Sequence, residues 1–202
     1  MRLYDYLRSG NGYKVRLLLH QLGTAFERIE VDLDAGATRR PEFLRLNPNG
    51  RIPLLEVEPG KYLSESNAIL CYLSEGTAYQ PEGRWERAKM LQWMFFEQYE
   101  HEPNIATVRY WIVILGCANE RREAIAEKEK LGYRALTVME NHLWDHEFFA
   151  GSRYSIADIA LYAYTHVAHE GGFSLEGFPS ILRWLDRVRA QPGHIPITAA
   201  HP

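Results

Sequence analysis

Apolar and polar positions follow two different rhythms along this chain. Up to Ser74 the apolar stretches are short and separated by turn-forming residues. Leu3 to Leu7 and Phe26 to Val31 carry the clustered or alternating apolar residues of strands. Between them, Tyr13 to Leu22 is rich in aliphatics and stops at Gly23, a good helix terminator. Pro41-Glu42-Phe43-Leu44 opens a short helix, because proline at a first helical position loses no intrahelical bond. Ile52 to Val57 and Lys61 to Leu63 predict a hairpin around Glu58-Pro59-Gly60, and Ser66 to Ser74 predicts a closing helix. The order is β-α-β followed by β-β-α, a small mixed sheet covered by helices.

The rhythm then lengthens. Residues 75–83 read as a linker, and beyond it come four long helical patterns: Arg84 to Cys117, Arg121 to His146, Ser155 to His169 and Ser180 to Ala190. Pro103 interrupts the first and predicts a kink or break near Glu102. The tail after Gln191 contains three prolines and should be irregular. The fold class is therefore α/β plus all-α, with domains expected at 1–76 and 84–202. Ser155-Ile156-Ala157-Asp158 has the spacing of a helix capping arrangement, which accounts for Asp158 as a structural rather than a catalytic carboxylate.

Composition narrows the possible functions. The 202 residues are 46% hydrophobic with a formal charge of -3, and no Lys/Arg-rich run argues for nucleic acid. No apolar run reaches membrane-spanning length, and Met1 leads straight into the first strand, so neither a membrane span nor a secretory leader is expected. Cys71 and Cys117 lie inside apolar helical patterns without redox or metal spacing, and are read as buried free thiols in a cytoplasmic protein. His142 and His146 are one turn apart but lack the rest of a ligand set, so no metal is expected. Gly10 and Gly12 lack the spacing of a nucleotide loop.

The most informative stretch is NPNGRIPLLE, Asn47 to Glu56, followed by Leu-Ser-Glu-Ser-Asn at 63–67. Pro53 cannot sit inside a strand ladder and must stand at the strand's entrance or in a turn. Ser64, Glu65 and Ser66 precede an apolar run and mark a helix N-terminus, whose unpaired N–H groups suit a carboxylate. Together these elements suit an extended, anionic, peptide-like ligand.

In order and spacing, these features and the Gly151-x-x-Tyr-Ser-Ile-Ala-Asp stretch resemble the cytosolic glutathione transferase superfamily over essentially the whole chain, as a bacterial serine-type or related member. The resemblance implies a thioredoxin-like first domain, a helical second domain and a homodimer. It implies a cis bond at Pro53 and pairing of the Ile52 backbone with the cysteinyl part of glutathione. Glu65 and Ser66 would receive the γ-glutamyl end. Arg51 is the candidate for the glycine-end carboxylate, with Arg39, Arg40 and Lys14 as alternatives. Ser9 is the nearest match to the serine that hydrogen-bonds the glutathione sulfur, and Asn11 is a second donor candidate. Where related bacterial members often carry a cysteine, this chain has Gly12. Arg109, Tyr110 and Trp111 are candidates for the acceptor side. Glutathione is thus the expected co-substrate, and the partner a small electrophile or a disulfide. The implied activity is conjugation of the detoxification type. Glutathione-dependent disulfide reduction, or a non-catalytic binding or regulatory role on the same fold, are the alternatives.

Overall fold

The structure is a computed structural model and describes residues 1–200. The chain divides into two units, one of Met1–Thr77 with the segment from Pro192 onward, the other of Ala78–Gln191.

In the first unit, β1 (Arg2–Asp5) pairs in parallel with β2 (Glu27–Glu30) and antiparallel with β3 (Leu54–Glu58). β4 (Lys61–Ser64) completes the sheet in the order β2-β1-β3-β4. A parallel pair needs a long crossover, and α1 (Gly10–Gln21) supplies it. Neighbouring residues of a strand face opposite sides, and β3 uses both. Leu55 joins Leu3, Val15, Leu19 and Ile69, bringing in α1 and α3 (Ser66–Ser74). Leu54 joins Val31 and Phe43, the latter from α2 (Pro41–Leu44). Pro53 stays outside β3, at its entrance, as its missing N–H requires.

Two boundaries differ from expectation. α1 starts at Gly10 rather than Tyr13, with Ser9 as its N-cap. Gly10, Asn11 and Gly12 carry no apolar signal, so the helical rhythm becomes visible only later. The C-terminal residues from Pro192 group with the first unit instead of the helical one expected for 84–202. The hydroxyl of Tyr13 and the guanidinium groups of Arg16 and Arg28 donate to backbone carbonyls of this tail. Otherwise the tail is irregular through residue 200, without an assigned helix or strand.

The second unit contains α4 (Arg84–Phe96), α5 (Glu102–Arg109), α6 (Arg122–Asp145), α7 (Ile156–Thr165) and α8 (Pro179–Arg189). The expected break near Glu102 is a π-helical segment, Glu97–His101, running into α5, which carries Pro103 in its first turn. A second π segment, Tyr110–Ile114, follows α5. α7 is buried along its whole length. Its alanines, Ala157, Ala160 and Ala163, let neighbouring elements approach closely. Asp158 sits in its first turn and completes a capping box with Ser155. No helix among the described residues is long and apolar enough to cross a membrane.

Candidate functional site

The first turn of α1 is built around a single hydroxyl. Ser9 Oγ accepts from the Gly12 N–H at 3.1 Å, and the Ser9 N–H donates to Tyr6 O at 2.8 Å. A serine hydroxyl that accepts one hydrogen bond in this way can still donate its own proton to a further acceptor. Behind the turn stands Asp5, fully buried, with Oδ1 only 1.6 Å from where a Cβ on Gly12 would lie. The Asp5 carboxylate therefore fills the space that any side chain at position 12 would need. Burial pushes the Asp5 carboxyl up to about 6, with the Arg16 and Arg28 guanidinium groups and the Tyr6 N–H pulling it down. Arg16 Nε lies 2.8 Å from Asp5 Oδ2 as an ion pair without the alignment of a hydrogen bond.

The second part of the site is the start of α3. Glu65, its N-cap, holds a φ of 69°, the one non-glycine residue with positive φ among those described. Such a conformation costs on the order of 1–3 kcal/mol and survives only where its surroundings impose it. Glu65 is exposed and Ser66 is buried. The Ser66 hydroxyl donates to Asn11 Oδ1 at 3.1 Å and lies 3.4 Å from Lys14 Nζ. The structure thus joins the opening turns of α1 and α3 through Asn11 and Ser66. Lys14, weighed from sequence only for the glycine-end carboxylate, stands instead beside Ser66. Its place on α1 gave no hint of this, because its partner lies 52 positions further along the chain.

The third part is the loop entering β3. The Ile52–Pro53 peptide is cis. Asn47, buried, braces this loop by donating from Nδ2 to Arg51 O at 2.7 Å and accepting the Asn49 N–H at 3.2 Å. Arg51 itself is exposed, while a Cβ on Gly50 would meet Arg39 Nη1 at 2.8 Å. Arg39 therefore lies against the same loop as Arg51.

The three acceptor-side candidates belong to the helical unit. Arg109 is buried and ion-paired with Glu170 at 2.8 Å, which gives its charge a structural role of its own. Tyr110 is exposed. The half-buried Trp111 ring is faced by Arg121 at 4.7 Å and Lys128 at 5.8 Å. Elsewhere in this unit the His142 and His146 rings stack at 4.2 Å. Each hydrogen-bonds a backbone carbonyl, Phe148 O and His142 O respectively. Among the described residues no group of three or more His, Cys, Asp or Glu side chains is placed to hold a metal. Cys71 and Cys117 are free thiols, half-buried rather than buried as expected, and Cys117 lies beyond the end of the helical run at Ile114.

Comparison with known proteins gives a consistent picture. Residues 1–75 match the glutathione S-transferase N-terminal domain and residues 89–192 the C-terminal domain. A glutathione S-transferase structure from Pseudomonas fluorescens is 48% identical, with a TM-score of 0.96 and 98% of each chain covered. The disulfide-bond oxidoreductase YfcG of Escherichia coli is 33% identical over 200 residues, 90% of this chain and 87% of that protein. A Burkholderia graminis glutathione transferase, solved with two glutathione molecules per subunit, is 29% identical. Its TM-score is 0.82, covering 95% of this chain and 84% of that one.

Proposed function

Because the chain belongs to the glutathione S-transferase family, we propose that it binds glutathione in its first unit and activates the thiol for attack on a small electrophile. The observation that carries this reading is the junction of α1 and α3, where Asn11 holds Ser66 one turn from the Ser9 cap. A carboxylate at the N-terminus of α3 and a thiolate at the N-terminus of α1 are two anionic groups of one small peptide, the first on its γ-glutamyl end and the second on its middle residue. Glu65 faces its ammonium group, the Ile52 backbone pairs with its middle residue, and Arg51 or Arg39 reaches its glycine carboxylate.

Activation follows from thiol chemistry. An ordinary cysteine-type thiol has a pKa of about 8.5 and reacts as the thiolate. A hydroxyl donating to the sulfur favours thiolate over thiol, and Ser9 is placed to donate without acting as a base. The thiolate then forms a C–S bond as the leaving group departs with its electron pair. A second reading, attack on a disulfide sulfur with expulsion of the other thiolate, is favoured by the similarity to a disulfide-bond oxidoreductase. The side-chain-free position at Gly12 leaves either reaction to glutathione's own sulfur. Calorimetric titration with glutathione tests the common premise, and folded protein that binds none defeats both readings. Parallel aryl-halide conjugation and disulfide-reduction assays then separate them.

Recognition should divide by residue. Glu65→Gln and Ser66→Ala are each expected to weaken glutathione binding by about 1.5–3 kcal/mol, the loss of a charge-assisted hydrogen bond. Titration of folded variants checks this, and affinities unchanged from wild type would remove both residues from the site.

The functional unit is proposed to be a homodimer. Leu91, Phe95 and Tyr99 recur every four residues on α4 and the π segment after it, and are 40%, 71% and 82% exposed. An apolar stripe this exposed marks an association surface. Phe95→Glu should weaken self-association by about 2 kcal/mol, or ~30-fold in dissociation constant. Sedimentation equilibrium checks the shift, and a wild type that is monomeric at every concentration sinks the dimer.

A further inference from the structure

A buried guanidinium must find acceptors for its N–H groups, or its burial is prohibitively costly. Arg16, in the middle of α1, is 1% exposed and finds acceptors in two separate stretches of chain and an ion-pair partner in a third. Its Nε stands beside Asp5 Oδ2, at the end of β1. Its Nη2 donates to Leu7 O at 2.8 Å, in the loop that leads to Ser9. Its Nη1 donates to Ile197 O at 3.1 Å and Ala199 O at 2.7 Å, both in the C-terminal segment.

That segment lies along α1 as a strap. Gly193 is so close to the end of the helix that a Cβ there would stand 3.0 Å from Gln21 Cα. Tyr13, fully buried, donates its hydroxyl to Ile195 O at 2.7 Å. At the far end Arg28 Nε donates to Ala200 O at 3.0 Å. Arg28 also pairs with Glu30, whose other oxygen accepts the Leu7 N–H at 3.2 Å. Both backbone polar groups of Leu7 are therefore held by side chains, and each of those side chains leads back to the strap. Leu7 is two residues from Ser9, whose own N–H is tied to Tyr6 O.

From this double tether we infer that Arg16 is a positioning residue for thiol activation, through which the C-terminal segment holds the Leu7–Ser9 turn in register with the glutathione sulfur. The inference rests on the proposed function, since it concerns the same sulfur. Without the strap, Nη1 loses two carbonyls in a buried setting and the guanidinium must turn toward other partners. Leu7 O is then released, and the Ser9 hydroxyl no longer has a single direction. The N-terminus of α3, joined to α1 through Asn11 and Lys14 rather than through Leu7 or the strap, and the loop around Ile52 hold the rest of glutathione.

Two variants test it: Arg16→Lys in the full chain, which keeps the charge without the fork of donors, and a chain shortened after Pro196. The readouts are affinity for S-methylglutathione, which has no thiol, and the thiolate titration of bound glutathione. Each variant is expected to raise the bound thiol pKa by about one unit, a roughly threefold smaller thiolate fraction at neutral pH for a thiol brought about two units below its ordinary ~8.5. S-methylglutathione affinity should stay within about threefold of wild type, well under the tenfold that 1.4 kcal/mol would bring. Combining the two changes should give less than the sum of their separate effects, because both break the Arg16 connection, while shortening also removes the Arg28 contact to Ala200. An unchanged thiol pKa in folded Arg16→Lys, or fully additive effects, would overturn the coupling while leaving the proposed function intact. Wild-type protein that binds glutathione without lowering its thiol pKa would overturn the activating role itself.

Discussion

Replacing Asp158 with alanine will lower the thermal unfolding midpoint by about 6–12 °C, the shift that a loss of about 3 kcal/mol produces in a chain of this size. The carboxylate is fully buried and accepts four hydrogen bonds. Oδ1 takes the Phe149 N–H at 3.1 Å and Trp184 Nε1 at 3.0 Å. Oδ2 takes the Ser155 N–H at 2.9 Å and the Ser155 hydroxyl at 3.0 Å. One side chain thus joins the start of α7 to α8 and to the loop after α6. Its removal leaves buried N–H donors without acceptors, at about 1–3 kcal/mol each. The cost of burying a charge, which disappears with it, offsets part of this.

That offset has a signature in pH. Burial pushes the Asp158 carboxyl up to about 6, against the pull of its Trp184, Phe149 and Ser155 donors. The folded value lies above the ordinary 3.8, so between the two the folded chain binds the proton more tightly than the unfolded one. The contribution of this group is therefore greatest below about pH 4 and declines as pH rises through about 6. Melting curves across that window should lose this slope in the alanine variant. A variant melting within about 2 °C of wild type at neutral pH would show that the four bonds carry little.

The second large effect is chemical. Alanine at position 9 should raise the thiol pKa of bound glutathione by about two units, equivalent to roughly 2.7 kcal/mol of lost thiolate stabilisation. Turnover at neutral pH should then fall by about 10- to 100-fold, with much of the binding retained through Glu65, Ser66 and Ile52. Ser9 is also the N-cap of α1, so the same change removes about 1 kcal/mol of helix stability. Ser9→Gly separates the roles, since glycine at an N-cap costs only a few tenths of a kcal/mol. It should reproduce the thiol shift in a nearly undisturbed fold. If neither variant moves the thiol pKa, activation belongs to Asn11 or to the amides opening α1.

Local rules made much of the architecture legible. The turn at Glu58-Pro59-Gly60, Pro53 at a strand entrance and the Ser155/Asp158 spacing are all short-range signals, and each appears where the sequence places it. What escaped was long-range or polar. The hydrogen bond from Ser66 to Asn11 spans 55 positions, and that from Arg16 to Ala199 spans 183. No pattern within one helix announces either. Lys14 and Arg16 are charged residues in an apolar helical stretch, and both are buried because their partners come from other parts of the chain. The early start of α1 was hidden by glycines, whose role at position 12 is to make room for Asp5. The ion pair of Arg109 with Glu170, 61 positions away, is equally invisible to local patterns.

The return of the C-terminal segment to the first unit also bears on the order in which the protein is made. A ribosome releases the β-α-β-β-α portion long before Ile195, Ile197 and Ala199 emerge, and the intervening helical unit takes on the order of ten seconds to synthesise. During that interval every strand and helix of the first unit has been made, but the carbonyls to which Tyr13, Arg16 and Arg28 donate have not. Its final side-chain arrangement is therefore post-translational in timing, and the turn around Ser9 is among the last parts of the molecule to settle.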